Sequence, residues 1–370
     1  MTRRLLLWLA LAAPLAAAEK RARNVILFLG DAGGIPTLNA ASIYGYDQPR
    51  ALFIQRMPHI ALMETSSASS WVSDSAAGMT AIVTGRKTHN GVLSQSDAAV
   101  RGLKDGAPLK TILEYAEQRG LGTGVVTNSG AASATPAACY AHANDRRKVG
   151  EIFAQILNPR FGDGVDVVIG AGRREILTAA RQMGLDLAQA LKAKGYGFYD
   201  AVEAIPPAAR RAVALMDGDG FDLEKAAERA LEILSRNKKG FFLMVESDLH
   251  TENIVQGLER TVTLDRIVRR TAERMKAADT LILFTADHSY DLRIHQGRKG
   301  RPLLSPAEKA AAVAGQHSVR WENLRRDDDH TGEEVLVAAQ GPGAQRVRGV
   351  LANTELFEIM LAAYGWKRSE

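Results

Sequence analysis

Cysteine is almost missing from this chain. Cys139 is the only one, so no intramolecular disulfide can form, whatever the compartment. Flanked by Ala138 and Tyr140 in a small, apolar stretch, it reads as a buried core residue and not as a reactive thiol. A large excess of either charge is also lacking. Lys and Arg total 47 against 42 Asp and Glu, a formal net charge of +5. No basic run is interleaved with aromatics, so nothing points to a nucleic-acid binding module. A mild basic excess is enough to steer small anions. Long apolar runs are missing too. The one candidate, residues 5–15, is shorter than the roughly 20 residues a membrane span needs. It follows Arg3 and Arg4 and leads to Ala16, Ala17 and Ala18 before Glu19, which is the layout of a cleavable secretory signal peptide. Residues 1–18 are therefore expected to be a leader, with an uncleaved anchor as the competing reading. Its loss would lower the net charge to about +3. Internal repeats and low-complexity linkers are absent.

What is present is an alternation of strand and helix patterns. Short runs rich in Val, Ile, Leu and Phe, each followed by loop residues, lie at 24–29, 60–63, 124–127, 165–169, 241–245, 281–285 and 335–339. Continuous apolar runs of this length predict strands covered on both faces. Amphipathic patterns at 109–118, 148–157, 223–236 and 259–277 predict helices between them. The alternation implies an α/β domain with a mainly parallel sheet, spanning 19–370. The Ala- and Arg-rich stretch 171–212 has the least pattern and is read as a helical insertion.

Ligands of such sheets bind at the carboxyl ends of the strands, and several acidic and His residues fall there. Asp31 ends the first run between glycines, where a carboxylate can approach a cation; a plain turn Asp is the alternative. Glu246, Asp248 and His250 follow the run 241–245, and Asp287 and His288 follow 281–285. His330 comes after Asp327, Asp328 and Asp329, which could be ligands, partners of a ligating imidazole, or a solvated loop. Each cluster alone could be a solvated polar loop or a surface pair. Four with the same hard and borderline donors supply enough ligands for more than one divalent ion. Ser75, in Ser73-Asp74-Ser75-Ala76-Ala77-Gly78, is the nucleophile candidate, placed where a helix can start and present free N–H groups to an anion. A simple N-cap is the alternative. No His adjoins it in sequence, so a metal would have to lower its pKa. His59, His89, His142, His295 and His317 lack an acidic partner at ligand spacing and read as structural or surface residues.

Five blocks in order resemble the alkaline phosphatase family over most of the chain, from Asn24 to Trp366. They are Val25 to Asp31; Asp74-Ser75-Ala76-Ala77; Ala134-Thr135-Pro136-Ala137-Ala138 with Ala141-His142; Thr285-Ala286-Asp287-His288; and His330-Thr331-Gly332-Glu333-Glu334. The resemblance implies a three-layer αβα sandwich around a mostly parallel sheet. It also implies hydrolysis of phosphate monoesters, with broad specificity, through a phosphoserine at Ser75. One zinc would be held by Asp31, Asp287 and His288, a second by Asp248, His250 and His330, and a magnesium by Asp31, Thr135 and Glu246. Arg146 would clamp the phosphate, a role that suits its bidentate fork. The resemblance further implies small phosphate monoesters as partners, with a homodimer left open, and a secreted or periplasmic location.

The chain also departs from the family. Ala32 and Gly33 replace the usual Gly-Met pair, and Ser133 stands where an Asp or His is usual. The Glu246–His250 block is compact, which leaves Glu252 as a substitute for either Asp248 or His250. A phosphodiesterase, sulfatase or phosphonate hydrolase of the same superfamily is the second enzyme reading. Ala76-Ala77-Gly78-Met79 after Ser75 argues against a sulfatase. A non-catalytic metal- or phosphate-binding protein is the reading from another class.

Overall fold

The computed structural model describes residues 20–314, 320–327 and 329–369. The expected leader and His317 lie outside them. The strands are β1 Asn24–Asp31, β2 His59–Glu64, β3 Gly122–Gly130, β4 Val167–Ala171, β5 Gly197–Tyr199, β6 Ala212–Leu215, β7 Phe241–Asp248, β8 Thr280–Thr285, β9 Ser289–Tyr290, β10 Arg293–Ile294, β11 Leu324–Arg325, β12 His330–Thr331, β13 Val335–Gln340 and β14 Gly349–Ala352. The helices are α1 Ile35–Tyr46, α2 Ser75–Thr84, α3 Ile112–Gln118, α4 Ala134–Tyr140, α5 Val149–Ala154, α6 Arg173–Gln182, α7 Leu187–Ala193, α8 Leu223–Leu234, α9 Ile254–Arg274, α10 Pro306–Val313 and α11 Glu355–Tyr364.

Ten strands form one sheet in the order β14-β2-β13-β8-β1-β7-β3-β4-β6-β5. Only β13 runs antiparallel to its neighbours, β8 and β2. The central strands alternate between two cores. Val25, Leu27 and Leu29 of β1 face α2, α3, α4 and α11, while Ile26 and Phe28 face α1, α8 and α9. This is why their sequence is continuously apolar: each face has its own layer of helices, and each fully buried Phe or Leu adds about 2 kcal/mol. The expected three-layer α/β architecture is the one observed.

Two expectations need correction. The run 60–63 is covered on one face only, because β2 lies next to the sheet edge; Ile60 and Leu62 remain 39% and 38% exposed. The stretch 171–212 is not purely helical. Besides α6 and α7 it contains β5, which together with β6 extends the sheet.

Candidate active site

Strand register builds the centre of the site. In the parallel trio β8-β1-β7, Leu29 lies level with both Glu246 and Thr285, and Asp31 level with Asp248. Asp31, Glu246 and Asp287-His288 therefore emerge together at one carboxyl edge. Helix α2 comes in against them. Asp74 caps it, its Oδ1 accepting from the Ala77 N–H at 3.0 Å. Gly78 lets it approach, since a Cβ there would stand 2.7 Å from the Asp287 carbonyl oxygen. Ser75 thus sits in the first turn of a fully buried helix, under the positive end of its dipole.

The Ser75 hydroxyl lies 3.3 Å from Asp31 Oδ2 and 3.3 Å from His288 Nε2, so its proton has two acceptors within reach. His288 Nε2 is also 3.4 Å from Asp31 and 3.6 Å from Asp287. Asp31, Asp287 and His288 have the spacing that holds a single metal ion. Asp287 Oδ1 accepts from the N–H groups of Ala32 and His288, while its Oδ2 is buried without any partner. Burial, and then the charge of Asp31, raise the Asp287 carboxyl to about 8. The same two causes lift Glu246 well above the carboxylate range, despite a short hydrogen bond from Thr127. Thr135 stands near enough to Glu246 to pull its pKa down slightly, yet its buried Oγ1 makes no full hydrogen bond. Crowded buried carboxyl groups with an unused carboxylate oxygen and an unused hydroxyl fit divalent cations, whose charge removes the repulsion. The donors also match: carboxylate and imidazole for zinc, carboxylate and hydroxyl for magnesium.

A second cluster contains His250, His288 and His330. The Nδ1 of each is occupied: His250 donates to Asp248 Oδ1 at 2.7 Å, His288 to the Ser289 carbonyl at 3.0 Å, and His330 to the Ser73 carbonyl at 3.2 Å. Each ring keeps Nε2 free as a ligand, with its orientation fixed from behind. Burial opposes charge on His250, but the Asp248 hydrogen bond and the nearby Asp31 win and raise its pKa to about 9. His288 and His330 go the other way, lowered mainly by burial.

Here the structure departs from the expected ligand list. Asp248 belongs to neither cluster. Its Oδ1 holds His250, and its Oδ2 takes Arg260 Nη1 at 3.3 Å. The bonded nitrogen, at 2.7 Å, is Nδ1, so Asp248 holds the ring from the side opposite the open Nε2. Asp248 therefore stands behind His250 and not beside it. Glu252 is exposed and replaces neither residue. Of the acidic run near His330, Asp327 pairs with Arg293 at 3.5 Å in solvent and Asp329 Oδ1 accepts from the His330 N–H, which is the charged-loop reading; Asp328 lies outside the described residues.

Arg146 completes the site. Its Nη1 donates to Asp74 Oδ2 at 3.2 Å, so the residue that caps the Ser75 helix also aims the guanidinium. A serine at a helix start, an arginine steered beside it and two metal-capable clusters sharing His288 form an arrangement for handling a phosphoryl group.

The chain belongs to the alkaline phosphatase family. The model of that family, described as Alkaline phosphatase, matches residues 22–210 and 217–302. The chain is 30% identical to the alkaline phosphatase of Escherichia coli K12, over 95% of its own length and 88% of that protein's. It is also 30% identical to the streptomycin-6-phosphate phosphatase of Streptomyces griseus, over 93% and 91%. Among solved structures, the alkaline phosphatase of the Antarctic bacterium TAB5 shares the fold with a TM-score of 0.75 and 24% identity, covering 95% of this chain and all of that one. The protein is accordingly a phosphatase.

Sequence reading missed three members of this phosphatase site. Asp74 both caps the Ser75 helix and steers Arg146. Arg260, on α9, meets Asp248 at the end of β7 across the intervening loop, a separation that carries no sequence signal. Ser73 contributes only a backbone carbonyl, which no sequence can reveal. The remaining histidines have the bland roles expected of them where described. His142 is buried between the Ser94 carbonyl and Glu114, and His89 bonds the Asp97 carbonyl.

Proposed function

We propose that the protein hydrolyses phosphate monoesters through a phosphoserine at Ser75, with two zinc ions and one magnesium as resident cofactors and with broad tolerance of the alcohol. The observation that carries this reading is the Ser75 hydroxyl, 3.3 Å from both Asp31 and His288 at the start of a buried helix. Asp31, Asp287 and His288 would hold one zinc, His250 and His330 the other, and Asp31, Thr135 and Glu246 the magnesium. Bound divalent ions supply positive charge to a nucleophilic oxygen and to a leaving oxygen, and bring the pKa of a hydroxyl toward neutrality.

The chain's own groups do the rest. Arg146, fixed by Asp74, orients the phosphate with its free N–H groups. Ser75 Oγ gives up its proton to solvent and bonds to phosphorus as the bond to the alcohol oxygen breaks. The alcohol leaves and takes up a proton. Water then attacks the phosphoserine, the Oγ–P bond breaks, and Ser75 regains its proton. The N-terminal leader pattern supports export as part of the same proposal; fractionation of producing cells for the shortened chain checks it.

Phosphate release from an aryl phosphate monoester, with and without chelator, on protein of known zinc and magnesium content tests the reading. Chelator-sensitive release with about two zincs per chain is the expected result. Preference for a bis-aryl diester would move the assignment to a phosphodiesterase. Full metal content without hydrolysis of either would leave a binding protein.

A further inference from the structure

The carboxyl edge of the sheet continues past the metal-capable clusters, along β3, β4 and β6. Against it lies a cavity of about 350 Å³, lined among others by Arg101, Ser133, Arg146, Arg147 and Glu175. Arg146 forms part of its wall, so it starts beside the group that orients the scissile phosphate. Arg147, Gly172 and Glu175 also line a larger groove of about 810 Å³ that runs on between α5 and α6.

The arginines of the inner cavity are exposed, Arg147 by 77% and Arg101 by 42% of the side chain, but the loops that carry them are braced. The loop carrying Arg101 is tied to the loop carrying Arg146 and Arg147 by a reciprocal backbone pair between Leu93 and Ala143 and by the Arg146 N–H on the Gly91 carbonyl. Gly91, at φ +84°, makes room for Arg101: a Cβ there would lie 2.3 Å from its Nε. Two guanidiniums then share one buried carboxylate. Arg147 clasps Asp145 through Nε and Nη2, at 2.7 Å for the latter, and Arg101 Nε stands 3.5 Å from the same group. Two cations against one anion leave a net positive charge. Arg147 Nη1 and both Nη atoms of Arg101 have no acceptor among the described residues. Glu175, exposed on the outer wall, forms no ion pair with any of them.

We infer that this cavity is a second anion subsite, and that the preferred substrates are monoesters whose alcohol carries a second phosphate, held by Arg101 and Arg147 while Arg146 holds the first. The open Nη1 of Arg147 and the two open Nη atoms of Arg101 match phosphate oxygens in charge and as donors. The mixed-charge outer groove takes the rest of the alcohol. The inference rests on the phosphatase reading above and names its substrate class.

Steady-state kinetics on a series of terminal alkanediol bisphosphates, each beside the monophosphate of the same alkanediol, test it. In the unmodified enzyme the best bisphosphate should exceed its monophosphate partner in kcat/KM by about tenfold, the worth of one good charge-assisted contact. The gain should lie in KM and shrink with added salt. Arg101→Gln with Arg147→Gln should bring the ratio to near one while leaving monophosphate hydrolysis unchanged. Arg101→Gln alone, which keeps the Asp145–Arg147 pair, should lower the ratio partway. A ratio near one in the unmodified enzyme, or a ratio that survives both substitutions, overturns the subsite. Failure to hydrolyse any monophosphate overturns the phosphatase reading instead, so the two failures are distinct.

Discussion

The carboxylate cluster and the histidine cluster meet at His288 but are built in different ways. Asp31, Glu246 and Asp287 stand on or just after three adjacent parallel strands, and register alone brings them together. They are buried, and burial, then the charge of Asp31, raise the Glu246 and Asp287 carboxyls. His250 and His330 come from a loop and from the two-residue strand β12, which pairs with β9. They are half-buried, and each is positioned through Nδ1 by one oxygen acceptor. The first region is fixed by the backbone of the core and the second by single hydrogen bonds. A substitution in the first should therefore remove function outright, while one behind the second should tune it.

The largest effect is expected in the first region. Ser75→Ala should lower turnover by roughly a thousandfold or more while zinc and magnesium content, measured by elemental mass spectrometry, stays at the wild-type level. Lost metal would mean that Ser75 is needed to assemble the cluster. The second region should respond in proportion to what remains of the support behind His250. Asp248→Ala should weaken metal affinity by about 10–100-fold. Asp248→Asn keeps an oxygen acceptor for the His250 Nδ1–H and should lose less than about tenfold. If Asp248 were instead a ligand, both variants would bind about one ion fewer per chain.

Removing the metals should give Asp287 and His250 the same pH trend, opposed below about pH 6.5 by His288 and His330, which burial lowers. A carboxyl raised from its ordinary value to about 8, as in Asp287, binds its proton more tightly in the folded chain. Stability of the chelated protein should then fall as pH rises between about 4 and about 8. His250, raised to about 9, acts in the same direction, since its contribution is complete below its ordinary pKa and disappears as pH rises through about 9. Thermal melts of chelated protein should drop by several degrees between about pH 6.5 and 9, where only the raised groups titrate, and metal-loaded protein should not follow. A flat profile for the chelated protein would mean that the carboxyl crowding is relieved by other means. The smallest effect concerns Ala32, which holds a left-handed backbone at φ +63° beside Asp287. Ala32→Gly relieves about 1 kcal/mol of that strain and should raise the melting temperature slightly. A fall would show that the buried methyl group matters more.

The same contrast explains what could be read without coordinates. The long parallel strands were legible because two covered faces force continuous apolar runs, and residues following them had to cluster at one edge. β5 and β6 were not, being three and four residues long, the first within the Ala- and Arg-rich stretch and the second at its end. Ser75 and Arg146 were named as expectations by the resemblance, and the structure brings Arg146 to Asp74, the residue before Ser75. The exact role of Asp248 was not: a ligand and a residue two positions away that only orients the ligand have the same spacing, and only the 2.7 Å bond to Nδ1 separates them. Asp145 was hidden for a similar reason, because a carboxylate shared by Arg101 and Arg147 depends on two loops folding onto each other.

The stereochemical course at phosphorus tests the central claim most directly. Transfer of an isotopically chiral phosphoryl group from a monoester to an acceptor alcohol should proceed with net retention, because displacement by Ser75 and displacement from phosphoserine each invert the configuration. Net inversion would mean direct attack by the acceptor, and Ser75 would not be the nucleophile.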